Sequence, residues 1–495
     1  MNSPRDLLRF PLCRPEDLGA PMPDLPHANS VCLPTWQDVI DYEEKRPRVI
    51  DKLKAGYPRF VIPPACRTLF LEAKREVCAE GEDCHLYRAE QAALRCAHQV
   101  GRWSGSAVKV KPWRGVFAVV FPLEATTWAL KYWRHTGEGL SSRQAQALLE
   151  GESEPPSDAA ERIIRERIAR ALGVRESDVR LFSCGMSAIY TLFRVVQRMA
   201  PGRCIVQFGF PYVDTLKIIQ DFGSPHLFLP RADATDVAQL AEECQGEAPA
   251  ALFCEFPSNP VLISTDLEAL RRIADRHRFP IIIDDTIAMW TNVDLLRTAD
   301  VLVTSLTKWF TGRGDVMLGS LVINPASAFA PLLRELLEEE ADDVIWGGSV
   351  VVAEDLSRDA DQRIRKSSES ALRLADWLRN HPAVETVYYP AFQDRDRFDR
   401  FRRPNEGFGG LFSFVLRDPA RTSARFYNAV ELCKGPNLGT TFTLCCPFTL
   451  LAHYDELDWA EACGVSRWLL RISVGQEEPA DLIDRLDRAL AVATG

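Results

Sequence analysis

The sequence predicts an α/β fold in which a mostly parallel β-sheet is covered by helices on both faces. Short, almost wholly apolar runs alternate with helical stretches between residues 160 and 325, and strands without polar alternation are typical of sheets buried on both faces. The chain has 495 residues, more than one ordinary core can bury, so two or three domains are expected. The apolar runs lie at 204–206, 251–253, 281–283, 301–303 and 321–323.

The chain divides into three predicted parts. Residues 1–130 form an N-terminal extension that begins with a proline-rich, extended stretch and includes one buried strand at 115–121. Residues 131–325 form the large α/β domain, and residues 326–495 form a smaller C-terminal α+β domain. The C-terminal helices are predicted at 331–340, 367–379 and 479–492, and the C-terminal strands at 410–416 and 469–473.

The composition argues against several classes of function. The net charge of −10 argues against a nucleic-acid-binding protein, and no apolar run approaches the roughly 20 residues that a membrane helix needs. Residues 1–10 lack the apolar core of a signal peptide, and the 14 cysteines are scattered without a CxxC pair, so we expect a cytoplasmic protein with reduced thiols. The eight histidines show no metal-binding spacing, and Asp284 and Asp285 have no further ligand nearby, so no metal site is predicted.

A lysine and an aspartate follow two of the apolar runs. Lys308 comes shortly after the run at 301–303, and Asp284 directly follows the run at 281–283. Ligands of parallel sheets bind at the carboxyl ends of the strands, where both residues are expected. A lysine amine that condenses with an aldehyde and a carboxylate that keeps a pyridine nitrogen protonated are the groups that pyridoxal phosphate (PLP) chemistry needs. We therefore predict a PLP site with Lys308 and Asp284 as catalytic residues.

A turn and a pair of hydroxyls are candidates to bind the phosphate of this cofactor. Gly185 and Met186 open a helical pattern after a short apolar run, and a glycine there lets backbone amides approach an anion at the helix N-terminus. An ordinary tight turn explains the same pattern. Ser305 and Thr307 lie two residues apart, and residues i and i+2 of an extended chain project to one side. Both hydroxyls are therefore expected at the phosphate, with capping of the strand end as the alternative.

An aromatic residue and an arginine complete the candidate site. Tyr212 is a candidate to stack on the cofactor ring, and a core aromatic is the alternative. Arg471 lies inside the apolar strand at 469–473. A buried arginine needs an anionic partner, which is either a substrate α-carboxylate held by two hydrogen bonds or an internal salt bridge. The first of these predicts an amino-acid substrate.

Several segments of the chain, taken in order, follow the pattern of one enzyme family. These segments are 132–134, 184–189, 255–260, 283–286, 305–308 and 470–475, together with 33–36 and 56–60 in the extension. They resemble the Cys/Met-metabolism PLP-dependent enzymes, and most closely the fungal cystathionine γ-synthases, from about residue 15 to the end of the chain. The resemblance implies the aspartate-aminotransferase-like fold (fold type I), with Asn259 beside the phenolic oxygen of the cofactor. It also implies that Tyr132 and Arg134 reach the phosphate of a neighbouring subunit, in a homodimer with shared active sites that commonly pairs into a tetramer.

The resemblance implies a γ-replacement reaction on an activated homoserine, with Lys308, Tyr212 and Asp284 as catalytic residues. O-acetyl-L-homoserine, or another O-acyl-homoserine, loses its acyl group through a vinylglycine-type intermediate, and the aminobutyrate unit passes to a thiol such as L-cysteine. Three alternatives stay open: C–C bond formation with a β-keto acid such as acetoacetate, giving a non-proteinogenic amino acid for specialised (alkaloid) biosynthesis; γ-elimination by a lyase; and a catalytically silent paralogue.

Two places in the sequence depart from the fungal pattern. Arg313 and Leu318 stand after the lysine, where the fungal enzymes usually have small residues, and the segment 364–368, which includes Arg365, lacks the expected asparagines. Because the cofactor motifs are intact, we interpret these changes as bearing on the choice of the second substrate.

Overall fold

The N-terminal part of the chain folds around a small antiparallel sheet, in a computed structural model that describes residues 5–342 and 345–495. The strands are β1 (Pro21–Met22), β2 (Ser30–Val31), β3 (Glu82–Tyr87), β4 (Lys109–Trp113) and β5 (Val116–Pro122), and the helices are α1 (Trp36–Glu43), α2 (Pro47–Ile50), α3 (Pro64–Val77), α4 (Glu90–Ser104), α5 (Thr126–Thr136) and α6 (Ser142–Glu150). The central strand of the sheet is β5, between β3 and β4, and it confirms the strand predicted at 115–121. A domain boundary at residue 130 would cut helix α5.

A seven-stranded, mostly parallel sheet forms the central layer of the protein and confirms the predicted fold class. Its strands are β6 (Val179–Phe182), β7 (Ile205–Phe208), β8 (His226–Leu229), β9 (Ala251–Glu255), β10 (Ile281–Asp284), β11 (Val301–Ser305) and β12 (Gly319–Ile323). The helices of this region are α7 (Asp158–Leu172), α8 (Gly185–Met199), α9 (Val213–Asp221), α10 (Ala234–Glu243), α11 (Leu267–His277), α12 (Met289–Asn292) and α13 (Ala330–Glu340).

The order of the strands brings three strand ends together. The order is β6-β12-β11-β10-β9-β7-β8, and β12 runs antiparallel to both of its neighbours. Each of the five predicted apolar runs lies in a strand of this sheet, because strands that are covered on both faces need no polar alternation. Asp284 at the end of β10 lies opposite Glu255 at the end of β9 and opposite Val303 of β11. The carboxyl ends of β9, β10 and β11 therefore meet at one edge of the sheet.

The C-terminal part is an α+β domain, as predicted. Its strands are β13 (Val384–Tyr388), β14 (Leu411–Leu416), β15 (Cys433–Lys434), β16 (Leu444–Pro447) and β17 (Leu470–Ser473), and its helices are α14 (Gly347–Leu356), α15 (Ala360–Arg379), α16 (Arg395–Asp399), α17 (Pro419–Ala429), α18 (Phe448–Ala452), α19 (Leu457–Ala462) and α20 (Pro479–Thr494). Helix α15 begins earlier than predicted, because the buried Ser367 and Ser368 lie on its inner face and interrupt the apolar pattern there. Helix α13 packs against α8, so it lies with the large sheet.

The described residues contain neither a membrane-spanning helix nor a cluster of metal ligands. No helix within residues 5–342 and 345–495 is long and apolar enough to cross a bilayer. Over the same residues, no three His, Cys, Asp or Glu side chains are grouped as a metal ion requires.

Candidate active site

A cavity opens at the carboxyl ends of β9, β10 and β11. It encloses about 1090 Å³, including its open mouth, which is enough for a cofactor together with a small substrate. All three predicted parts of the chain contribute residues to its lining. The predicted site residues that line it are Gly185, Met186, Tyr212, Asn259, Asp284, Ser305, Lys308 and Arg471.

Lys308 lies in this cavity, in the turn that follows β11. Its Nζ donates a hydrogen bond to Asn437 Oδ1 at 2.5 Å and lies 4.3 Å from the centre of the Tyr57 ring. Burial, and then the positive charges of Arg59 and Arg471, hold the pKa of Lys308 well below its usual value. A lowered pKa favours the uncharged amine, which is the form that acts as a nucleophile or as a base.

Two carboxyl groups, those of Asp284 and Glu255, lie at adjacent strand ends in the cavity. Asp284 Oδ1 accepts a hydrogen bond from the main-chain N–H of Thr286 at 2.9 Å. Burial raises the pKa of both acids, and the charge of Asp284 raises the pKa of Glu255 further. A cation held against this pair offsets the cost of burying its negative charge, and a protonated pyridine nitrogen is such a cation. The two acids therefore fit the ring-nitrogen end of PLP.

The N-terminus of α8 forms a narrow cradle against the end of β11. Cys184 caps the helix, with its Sγ accepting from the main-chain N–H of Ser187 at 3.4 Å. The first N–H groups of a helix have no intrahelical partner and carry the positive end of its dipole, so they suit a phosphate. A Cβ at Gly185 would lie only 2.9 Å from Ser305 Cβ, so this close approach requires glycine. Gly185, Met186 and Ser305 line the cavity at this point.

Thr307 contacts a neighbouring segment and does not line the cavity, so the expectation that its hydroxyl meets the phosphate stays a prediction. Its Oγ1 accepts from the main-chain N–H of Leu318 at 3.1 Å and donates to the Leu318 carbonyl at 3.2 Å. Strand β11 ends at Ser305 and the chain then turns, so the rule for residues i and i+2 of an extended chain no longer applies. The alternative, a capping role at the strand end, is the one that the contacts of Thr307 support.

Arg471 and Asn259 are joined by a hydrogen bond at the wall of the cavity. Arg471 Nη1 donates to Asn259 Oδ1 at 3.1 Å, and its Nη2 donates to the main-chain carbonyl of Asn437 at 3.0 Å. These are neutral acceptors, and no carboxylate within residues 5–342 and 345–495 forms an ion pair with this guanidinium. A buried arginine needs an anionic partner. The cavity has room for the carboxylate of a substrate, and the positive charge of Arg471 would bind it.

Five residues of the N-terminal extension also line the cavity, and two of them, Arg59 and Tyr57, contact predicted site residues although the sequence did not indicate them as site residues. Arg59 Nη2 donates to the hydroxyl of Tyr212 at 2.6 Å, and Arg59 forms an ion pair with the buried Asp214. Tyr57 lies beside Lys308. The main-chain N–H of Tyr212 donates to Glu255 Oε1 at 2.5 Å, so Tyr212 is held from both sides at the cavity wall.

The predicted Tyr-x-Arg motif of α5 lies away from the cavity, whereas the same spacing at Tyr57 and Arg59 lines it. Tyr132 is fully buried within its own chain, and its hydroxyl donates to Glu138 Oε2 at 2.7 Å. The prediction that Tyr132 reaches the phosphate of a neighbouring subunit is therefore wrong. Arg134 is partly exposed and pairs with a buried aspartate at 3.3 Å, so its role at a phosphate stays a prediction.

Replacing Tyr132 by phenylalanine separates these two Tyr-x-Arg sites. We expect Tyr132→Phe to lower the free energy of unfolding by about 1–3 kcal/mol, because a buried oxygen of Glu138 loses its donor. We expect the dissociation constant for PLP to stay unchanged in this variant. Tyr57→Ala, in contrast, removes the ring beside Lys308 and is expected to weaken PLP binding. Urea unfolding and a fluorescence titration of the apoenzyme with PLP measure the two effects, and weakened PLP binding in Tyr132→Phe would restore the original assignment.

The sequence matches a described enzyme family over residues 158–491, the Cys/Met metabolism PLP-dependent enzymes. The chain belongs to this family. Residues 65–141 also match the N-terminal domain of fungal trans-sulfuration enzymes, the region that holds the small sheet of β3, β4 and β5. The protein is therefore a cystathionine γ-synthase-like, PLP-dependent enzyme of the transferase class, and the predicted cofactor is confirmed.

Proteins that are named for different reactions are similar in sequence to this chain. A cystathionine gamma-synthase of Neurospora crassa is 32% identical, over 97% of this chain and 99% of that protein. An L-2-amino-4-chloropent-4-enoate dechlorinase/desaturase of Streptantibioticus cattleyicolor is also 32% identical, over 93% of this chain and 95% of that protein. The solved structure of the cystathionine gamma synthase from Xanthomonas oryzae pv. oryzae in complex with cystathionine has a TM-score of 0.60 at 23% identity, covering 68% of this chain and 86% of that one. This structural likeness supports the predicted fold.

The residues that depart from the fungal pattern of this family lie outside the cavity. Arg313 pairs with Asp315 at 2.7 Å, and Arg365 pairs with Glu406 at 2.9 Å. Leu318 is fully buried, and its main-chain carbonyl accepts a hydrogen bond from the hydroxyl of Thr307. These residues do not line the cavity, so their bearing on the choice of the second substrate stays a prediction, and direct contacts with that substrate are expected from the lining residues.

Proposed function

We propose that the protein catalyses γ-replacement on an O-acyl-L-homoserine, the O-acetyl ester first among them, and transfers the aminobutyrate unit to a thiol such as L-cysteine. One observation carries this proposal: the amine of Lys308, whose pKa is lowered by burial, shares a cavity with Arg471, which has neutral acceptors only. An α-amino acid offers a carboxylate to the arginine and an α-proton to the amine. The Neurospora relative, named as a cystathionine gamma-synthase, supports the reaction class.

Each residue has a definite task in this reaction. PLP, when bound, supplies the electron sink that makes the α-proton of the substrate acidic. Asp284 would keep the proton on the pyridine nitrogen, and Tyr212 would pack against the ring. The N-terminus of α8 and Ser305 would hold the phosphate group. Arg471 binds the α-carboxylate through two N–H groups and so orients the α-proton toward Lys308, whose amine removes it and moves protons between the α and β carbons.

The apolar part of the cavity lining supports a second candidate function. It includes the side chains of Tyr42, Phe60, Leu438, Phe448 and Leu451. Such a surface accepts the alkyl chain of a β-keto acid as well as a thiol, which would give C–C bond formation instead of C–S bond formation. Elimination is a third outcome, because the Streptantibioticus relative carries the name of a dechlorinase/desaturase.

A competition experiment separates these reactions. The holoenzyme receives O-acetyl-L-homoserine with L-cysteine and acetoacetate together, and mass spectrometry identifies the products, with Lys308→Ala as the blank. We expect cystathionine as the main product. A carbon-linked 2-amino-6-oxo acid would assign the C–C reaction, and 2-oxobutanoate would assign a lyase. A holoenzyme that binds PLP but forms none of the three products would overturn the proposal in favour of a silent paralogue.

We also propose that the protein is a homo-oligomer, a dimer or a tetramer, located in the cytoplasm. Support comes from its family and from the partial exposure of Arg134, the residue for which the resemblance implies a contact with a neighbouring subunit. Each chain has a mass of 55.6 kDa. Mass photometry is therefore expected to give twice or four times this value, and a species of 55.6 kDa would contradict the proposal.

A further inference from the structure

The loop between β15 and β16 lies directly on Lys308. A Cβ added at Gly439 would lie 2.8 Å from Lys308 Cβ and 2.6 Å from the main-chain nitrogen of Trp309, so the loop and the lysine are in direct contact. The main-chain N–H of Gly439 donates to Ser473 Oγ at 2.7 Å, which ties the loop to β17, the strand that carries Arg471. The loop therefore connects the lysine and the arginine of the proposed site.

Asn437 belongs to this loop and contacts both groups. Its Oδ1 accepts from Lys308 Nζ at 2.5 Å, and its main-chain carbonyl accepts from Arg471 Nη2 at 3.0 Å. The φ of Asn437 is +122°, a conformation that residues other than glycine rarely adopt. Strain of this kind persists where surrounding contacts impose it, and it clusters at active sites and ligand-binding loops. The position thus favours glycine, yet it carries a side chain that points to a functional group of the site.

The carboxamide of Asn437 also has a donor that is not used. Its Nδ2 is buried without a hydrogen-bond partner in the part of the chain that the structure describes, and the residue, which lines the cavity, is only 7% exposed. A buried N–H group without an acceptor is unfavourable, so such a group indicates that a ligand supplies the acceptor. The positive charge of the neighbouring Arg471 favours an anionic acceptor. A carboxylate has enough lone pairs to accept from both Asn437 Nδ2 and the Arg471 guanidinium.

We propose that Asn437 is a positioning residue with two tasks. Its Nδ2 donates a hydrogen bond to the substrate α-carboxylate that Arg471 binds, and its Oδ1 holds the free amine of Lys308 in place while the amine moves protons. The proposal rests on the amino-acid substrate of the proposed function. A neutral amide suits both tasks, whereas an aspartate here would repel the substrate carboxylate and would stabilise the charged, unreactive form of the lysine.

A binding experiment tests the first task without any turnover. L-norvaline has the α-carboxylate but no γ-leaving group, and L-norvalinamide lacks the carboxylate charge. Absorbance titration of the holoenzyme gives the dissociation constant of each ligand. For Asn437→Asp we expect L-norvaline to bind about tenfold more weakly or worse, and L-norvalinamide to bind as in the wild type or more tightly. The two ligands thus separate recognition of the carboxylate from a general loss of structure.

A second measurement tests the contact with the lysine. The rate at which an amine-reactive reagent modifies Lys308 in the apoenzyme is followed against pH, by mass spectrometry of the labelled peptide. We expect the midpoint of this profile to move to higher pH in Asn437→Asp, because a negative charge beside the amine raises the pKa of Lys308. This readout does not depend on PLP or on substrate.

Two further variants keep the test decisive. Asn437→Gly suits the positive φ and removes both side-chain contacts, so it is expected to weaken L-norvaline binding even if Asn437→Asp folds poorly. Asn405→Asp is the matched control, since Asn405 also has a positive φ, of 62°, but is exposed and does not line the cavity. Wild-type affinity for L-norvaline in both Asn437 variants would overturn the proposal. A wild-type enzyme that binds L-norvaline no better than its amide would instead overturn the amino-acid site of the proposed function, and this proposal with it.

Discussion

Replacing Lys308 by alanine is expected to lower the rate of product formation by about a thousandfold or more, because the substitution removes the amine that moves protons. The structure gives the reason for so large an effect. Lys308 lies half-buried in the cavity with its pKa held well below the usual value, and Asn437 Oδ1 accepts a hydrogen bond from the same amine. Bulk water cannot supply a base at this position in the same orientation. The measurement is the rate of cystathionine formation, with borohydride reduction and peptide mapping to locate covalently fixed PLP.

A second buried lysine provides the matched control. Burial also lowers the pKa of Lys434, but its Nζ donates to main-chain carbonyls, among them those of Pro34 and Asn428, outside the cavity. Lys434→Ala is therefore expected to cost stability while borohydride still fixes PLP at Lys308. If PLP remains covalently fixed in Lys308→Ala, or moves to Lys434, the assignment of Lys308 is wrong.

The site residues at the strand ends could be predicted from the sequence for a physical reason. Fully buried strands appear as short apolar runs, and parallel strands place their carboxyl ends at one edge of the sheet. Polar residues that follow such runs, here Asp284 and Ser305, are therefore expected to converge even without a structure. Lys308 belongs to the same edge because only a short turn separates it from β11.

Contacts between residues that are far apart in the sequence could not be predicted in this way. Asn437 meets Lys308 although more than a hundred positions separate them, and Arg59 comes from the extension. No periodicity links such partners, since their meeting depends on how whole domains pack. The burial of Tyr132, in contrast, could have been predicted from the sequence. With Ala129, Trp133 and Thr136 it forms the buried face of α5, at the spacing i, i+3, i+4 and i+7 that is typical of a helix packed on a core.

Replacing Arg59 by leucine is expected to lower the free energy of unfolding at pH 7 by about 3–5 kcal/mol, because it leaves the buried carboxylate of Asp214 without its main counter-charge. Burial by itself raises the pKa of Asp214, but the charge of Arg59 and the hydrogen bond from His135 outweigh it and hold the pKa far below the usual value. A carboxyl group with a depressed pKa stabilises the fold above its unfolded pKa, about 3.9, and this contribution is lost as the pH falls below that value.

The pH dependence of this effect distinguishes a lost ion pair from a lost packing contact. In Arg59→Leu the pKa of Asp214 rises, so acid neutralises the unpaired carboxylate, and the stability gap to the wild type should narrow between pH 7 and about pH 4. A gap that stays constant over this range would mean that packing, and not charge, sets the cost. Arg162→Leu is the control, because Arg162 and Glu166 are an exposed pair worth about 0.5 kcal/mol or less. The double variant Arg59→Leu/Asp214→Leu removes both charges and is expected to recover part of the stability. Urea unfolding of the wild type, Arg59→Leu, Asp214→Leu and the double variant gives the coupling energy between the two residues.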